Sequence, residues 1–232
     1  MIYTQYDLSF KNSVKIILPF FIFLFVFLFT FWSNPSLVPK LSPDSYGYWS
    51  LAENFSMQNE DSSIRPWLYP LFIRLCMKIS PVNWQISISL LQIIFHSFIT
   101  VLLFMLFKKN KLNNLTCFIF ALIIGLNPNL QVYTTYVLAD LILAVLTTLS
   151  WFYILKINDK TEWNYNLIIF SSLFCALCIV TKLVGLLMIV PFLFSIYLVK
   201  GYSSSFLKIS IFMVLINYSL FFCWKGYQYY QN

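Results

Sequence analysis

Residues 42–70 read SPDSYGYWSLAENFSMQNEDSSIRPWLYP, the one long polar interruption in a chain otherwise made of apolar runs. The segment carries four of the eight acidic residues, Asp44, Glu53, Glu60 and Asp61. In a multi-pass membrane protein, charges not needed for topology mark the first place to look for function. The stretch is therefore read as a loop at a membrane surface, with the apolar runs on either side as the helices that present it.

Composition supports that reading. Of 232 residues 60% are hydrophobic and 10% charged, and the mean hydropathy is +0.77. A soluble domain averages about 25% charged residues, so this chain cannot cover itself with polar groups and its solvent is lipid. The net charge of +7 comes without a basic stripe interleaved with exposed aromatics, so nucleic acid is not an expected partner. The lysines instead close apolar runs, as topology signals and lipid headgroup contacts do. The cysteines mostly lie inside apolar stretches. Cys175 and Cys178 stand three apart without a second pair or a histidine partner, which favours packing over zinc or redox chemistry.

Taken in order, the chain opens with a polar lead and a first span over 14–32, closed by Trp32 at an interface. That run is too long for a cleavable signal and reads as a signal anchor. A loop over about 33–84 follows. Within it Asp44 is placed to cap a helix, and Tyr48, Leu51, Ala52 and Phe55 recur on one face. A helix of that length cannot span, so it is expected to lie flat on the membrane. The residues around Glu60 and Asp61 read as a solvated turn. A second surface helix is expected over 66–79, with Arg74 and Lys78 on one face.

Further spans are read over 85–107, 115–126 and 139–155, the last two forming a hairpin that turns at Asn127-Pro128-Asn129. Residues 166–199 would make a helix of about 51 Å against a hydrocarbon core of roughly 30 Å. They are read as two short arms turning near Lys182. Residues 207–224 close the set. The expectation is an all-α, multi-pass transmembrane bundle of about seven spans, one module over 1–232. The lysine bias places the N-terminus on the cytoplasmic side and Asp44, Asp140 and Lys182 on the outer side. The expected location is a bacterial plasma membrane.

Each candidate residue has a structural and a chemical reading. Asp44 would cap a helix at about 1 kcal/mol, yet an interfacial carboxylate is also a competent general base. Asp140 is either an interfacial acid or the partner of Arg65 or substrate. Lys182, between two apolar arms, is costly unless it reaches the surface or meets an anion such as a phosphate headgroup. Arg65 suits a phosphate or carboxylate through two parallel hydrogen bonds. His96 lies mid-span with Gln92 on its face and reads as a packed polar residue, since one histidine cannot build a metal site. No metal and no cofactor are expected.

The order PDSYGYWSLAENF (43–55), RPWLYPLFIRL (65–75), VLADLILAVL (137–146) and VTKLVGLL (180–187) resembles that of the GT-C fold membrane glycosyltransferases. That family includes protein O-mannosyltransferase-like and lipid A aminoarabinose transferase-like enzymes. The resemblance covers nearly the whole chain. It implies an inverting transfer, on the outer face, from a polyprenyl-phosphate-sugar donor to a glycan, lipid or protein acceptor. It makes Asp44 the base that deprotonates the acceptor, sets Arg65 and Lys182 to hold the donor phosphate, and has Tyr48 and Tyr69 line the sugar site. Thr181-Lys182-Leu183 lacks the proline often found after the basic residue, and family members usually carry further spans, so seven helices correspond to the shared N-terminal module. The alternative is a non-catalytic or truncated module of this kind that binds lipid phosphate as an accessory membrane protein.

Overall fold

In the computed structural model the described residues are 2–54, 65–159 and 162–231, with the backbone alone for 2–16 and 231. The expected turn at Glu60 and Asp61, and Phe55, lie outside them. The described chain is helical throughout: α1 (Ile2–Ser33), α2 (Pro43–Glu53), α3 (Leu68–Ile79), α4 (Trp84–Lys109), α5 (Asn114–Gly125), α6 (Pro128–Gln131), α7 (Asp140–Asn158), α8 (Tyr165–Ile179), α9 (Ile189–Lys200) and α10 (Ser204–Gln231). Short 3-10 turns cover Val132–Thr134 and Leu183–Leu187. Helix is the economical solution for such a sequence, because lipid offers no partner to an unpaired backbone group.

Among the described residues four helical stretches are long and apolar enough to cross a membrane: α4, α7, Leu183–Lys200 and α10. The pair α5 and Pro128–Thr134, bent by 53°, makes a fifth if it is one span, whereas Ile17–Ser33 and Tyr165–Ile179 are apolar but shorter. By length and composition the described residues thus hold four helices able to cross, or five with the bent pair, against the seven read from the sequence.

Apolar clusters hold the long helices together, with Ile99 of α4 against Leu141 and Val145 of α7 joining two larger ones. Ile22 and Val26 of α1 meet Phe104 of α4 and Cys117 and Ala121 of α5. Ile154 and Ile157 of α7 meet Ile168 and Cys175 of α8, Phe192 of α9 and Met213 of α10. Trp151 of α7 stands edge-on to Phe192, ring centres 4.9 Å apart. Lys109 and Asp159 join the ends of α4 and α7 at 3.0 Å. Cys175 and Cys178 are fully buried among these helices.

Two expectations are corrected. Asn127-Pro128-Asn129 does not turn the chain back. Asn127 caps α6 by accepting from Asn129 N (2.9 Å), and the chain goes on at an angle until residue 135. Proline's missing N–H breaks the helix there, but its fixed φ suits the first turn of the next one. The apolar face of α2 is not laid on lipid either. Tyr48, Leu51 and Ala52 are buried, and Tyr48 and Ala52 pack with Tyr69 and Ile73 of α3, Ile88 of α4 and Val137. A closed apolar surface within the chain competes successfully with the membrane for that face.

The break after α8 is made close by Gly185, where an added Cβ would overlap the backbone of Cys178 and Ile179. Backbone cannot swing aside as a side-chain tip can. Gly185→Ala is expected to destabilise the protein by roughly 1–3 kcal/mol and to loosen the turn that carries Lys182. A thermal melt of the purified variant would show the lowered midpoint; an unchanged midpoint contradicts this packing.

Candidate functional site

The site is built at the start of α2. Ser42, not Asp44, is the cap: its Oγ accepts from Ser45 N (3.3 Å) while Ser45 Oγ accepts from Ser42 N (2.9 Å). Pro43 fills the first helical position, where a missing N–H costs nothing. Ser45 Oγ also donates to Val137 O (2.9 Å), pinning the helix to the segment before α7. Relieved of capping, Asp44 sits in the first turn, where the helix dipole favours an anion. Its side chain is 69% exposed, and Oδ1 accepts from Arg65 Nη2 at 3.3 Å.

Arg65 itself is mostly covered, with 19% of its side chain exposed. Its guanidinium lies 5.7 Å from the centre of the Tyr48 ring and occupies the space a Cβ would take at Gly47. A glycine at 47 is thus what lets the cation lie flat against α2. Tyr48 in turn meets Tyr69 edge-on, ring centres 5.0 Å apart and planes at 82°.

Gln92, which sequence reading noted only as a neighbour of His96, organises the floor. Its Nε2 donates to Tyr69 Oη (3.2 Å) and to Tyr136 O (3.0 Å). It therefore ties α3 to the segment that delivers Asp140. A fully buried amide in a membrane helix was the available signal, since such a group demands partners. His96 is also buried, its Nε2–H donating to Gly125 O (2.8 Å).

Asp140 opens α7 and pairs with Lys182, Nζ to Oδ1 2.8 Å, rather than with Arg65. Both side chains are part-exposed, 32% and 40% respectively. Lys182 stands on extended backbone between α8 and the following 3-10 turn. Leu68 N donates to Val180 O (2.9 Å), which fastens the start of α3 next to it. Asp44, Tyr48, Arg65, Tyr69, Asp140 and Lys182 are thus gathered at one end of the bundle. Tyr48 registers the gathering. Burial, then the charges of Asp44 and Asp140, push its pKa up to about 12 against a partial offset from Arg65. Burial and the neighbouring Tyr48 push Tyr69 higher in the same direction.

Beneath Asp140 runs an apolar cavity of ≈ 240 Å³ between α4, α5 and α7, lined by Ile99, Leu103, Ile124, Leu130, Leu141 and Ala144 among others. Among the described residues no three His, Cys, Asp or Glu side chains meet in a group that could hold a metal ion. The arrangement offers two carboxylates, two cations and two phenols at the mouth of an apolar slot, a set suited to an anionic headgroup on a hydrocarbon tail.

Because both phenols are held protonated, the folded state binds protons that an unfolded chain would lose above pH 10. Stability contributed by Tyr48 is present below pH 10 and falls as pH rises through about 12, by roughly 2–3 kcal/mol. Tyr48→Phe is expected to flatten part of that alkaline loss in thermal melts taken across the range. A wild-type slope in the variant would contradict the packing around the Tyr48 hydroxyl.

A comparison with known proteins identifies the family. The model of a family described as dolichyl-phosphate-mannose-protein mannosyltransferase matches residues 61–230. The match takes in Arg65, Tyr69, Asp140 and Lys182 and begins after Asp44 and Tyr48. No curated protein matches the chain. A helical bundle with membrane-crossing lengths, matched over most of its residues, is an integral membrane protein, and it belongs to the dolichyl-phosphate-mannose-protein mannosyltransferase family of membrane glycosyltransferases.

Proposed function

We propose that this chain transfers a sugar from a polyprenyl-phosphate-linked donor to an acceptor hydroxyl on the outer face of the membrane, with Asp44 as the general base. The observation that carries the reading is the pair of ion pairs, Asp44–Arg65 and Asp140–Lys182, around Tyr48. Each cation has a carboxylate to rest on when no substrate is bound; the half-exposed Lys182 is open to a phosphate, and Arg65, mostly covered, reaches one through the exposed side of its pair with Asp44.

The chemistry follows from that competition. The donor phosphate draws Arg65 and Lys182 toward its oxygens, and its prenyl chain lies in the apolar cavity beneath Asp140. Losing Arg65 to the phosphate frees the exposed Asp44 carboxylate to take a proton. The acceptor oxygen then attacks the anomeric carbon as its proton passes to Asp44. The bond from that carbon to the phosphate oxygen breaks, and its electron pair leaves with the polyprenyl phosphate. Attack opposite the leaving group inverts the anomeric centre. Arg65 and Lys182 screen the growing charge on the phosphate, and Tyr48 and Tyr69 line the sugar.

Two measurements test this. Asp44→Asn is expected to lower transfer by about 10²–10⁴-fold while membrane insertion and donor binding stay as in the wild type. Transfer at the wild-type rate would remove Asp44 from the chemistry. Lys182→Met combined with Asp140→Asn, which leaves no lone charge behind, is expected to weaken polyprenyl phosphate binding about tenfold to a hundredfold, the worth of one charged hydrogen bond. Equal affinity would take the phosphate elsewhere. A second reading is a lipid-phosphate-binding accessory module without catalysis, which the paired cations Arg65 and Lys182 would also serve. Donor binding without release of polyprenyl phosphate by the purified chain would select it.

A further inference from the structure

The end of the bundle away from Asp44 holds a larger cavity, ≈ 340 Å³, between the start of α8 and the start of α10. The 15 residues of α8 rise about 22 Å from Tyr165 to Ile179, so this cavity and Lys182 lie at opposite ends of that helix. One wall is the face of α10 that Ser205, Lys208, Ile209 and Phe212 share at spacings of three and four. The other is Trp163 and Tyr165, on either side of Asn164, which caps α8 by accepting from Leu167 N (3.2 Å). Ile209 is buried and Trp163 packs on the core beneath it, whereas Tyr165, Ser205, Lys208 and Phe212 are exposed.

The lining is mostly apolar, with an ammonium, two hydroxyls and an indole set among the rings. Among the described residues Lys208 has no ion-pair partner. A second cation stands close by, since Lys200 Nζ lies 5.5 Å from the centre of the Trp163 ring. Of the acids near this end, Asp159 is taken by Lys109, and Glu162 is exposed and does not line the cavity. The charge therefore suits an anion, and the walls require that anion to be amphiphilic. Leu215, one turn on from Phe212, is 65% exposed and continues the apolar wall along α10. A phosphodiester carrying acyl chains meets both demands, and a free phosphate meets only the first. The rings could also receive an alkylammonium group by cation–π contact, but two lysines beside them repel one, which selects a headgroup of net negative charge. Lys108 and Lys109, Lys156 and Lys200 close α4, α7 and α9 at this same end, as on the side of a membrane where anionic lipids gather.

We propose that this cavity binds the headgroup of an anionic bilayer phospholipid, with the phosphate against Lys208 and Ser205 and the acyl chains along Phe212 and Leu215. Its volume lies at the lower end of the roughly 300–1,000 Å³ of ligand clefts, which is room for a glycerophosphate rather than for a bare ion. The bound headgroup links the first turns of α8 and α10. The site is separate from sugar transfer and requires nothing of Asp44 or Lys182.

The test uses the full chain in a nonionic detergent, with native mass spectrometry of retained lipid as readout. The probes are dioleoylphosphatidylglycerol, dioleoylphosphatidylcholine and inorganic phosphate. The wild type is expected to retain phosphatidylglycerol about threefold to tenfold more tightly than phosphatidylcholine, the worth of one lysine at a membrane surface. Lys208→Gln, at an exposed position, is expected to weaken phosphatidylglycerol retention by about the same factor. Lys111→Gln, which removes an equal charge outside the cavity, is expected to retain it as the wild type does, and so is Asp140→Asn combined with Lys182→Met. Equal retention of the two lipids overturns the proposal, as does undiminished retention in Lys208→Gln or an equal loss in Lys111→Gln. Displacement of the lipid by an equal concentration of inorganic phosphate overturns it by making this a site for soluble anions. Loss of retention in the Asp140 and Lys182 double variant overturns it too, by assigning the lipid to the other end of the bundle.

Discussion

Charge at the end of an apolar bundle has to be answered by opposite charge, and that requirement shapes this molecule. Asp140 begins the long helix α7 and Lys182 stands in the break after the shorter α8, and they face each other at 2.8 Å. An isolated charge there would be costly on either element, so the pair fixes how α7 and the end of α8 approach. Arg65 and Asp44 repeat the arrangement between the loop helices, at 3.3 Å. The two pairs close a rim around Tyr48 that apolar packing alone would leave undefined in register.

The rim is held by hydrogen bonds made in places where lipid could offer none. Gln92 reaches from the interior of α4 to Tyr69 and to the Tyr136 carbonyl, and Ser45 reaches Val137. Each links a loop helix to the short segment before Asp140, so that segment receives ties from two directions. Such ties are worth more as positioning than as stability, since a buried amide gains little net free energy but has few alternative arrangements. The apolar cores beneath, one on α1, α4 and α5 and the other on α7 to α10, supply the rigid platform.

The helix bend at residues 126–128 shapes the apolar cavity. Had the third apolar run turned back at Asn127, as its Asn-Pro-Asn sequence suggests, the wall formed by Leu130 and Tyr133 would not exist. Gly125, just before it, admits α1 and α4 so closely that a Cβ would contact Val26 and Thr100 at 2.9 Å.

Hydropathy and helix breakers, read along the chain, were enough to determine the class of protein, the approximate limits of its apolar helices, and the polar stretch where charge gathers. These are local properties: a run of Phe, Leu and Ile has no stable solution but helix in lipid, and Pro or Gly interrupts it wherever it falls. Which face α2 buries, which residue caps it, and which acid meets which base were decided only by tertiary structure. Asp140 and Lys182 are 42 residues apart and Asp44 and Arg65 are 21 apart, so their pairing depends on how whole helices pack.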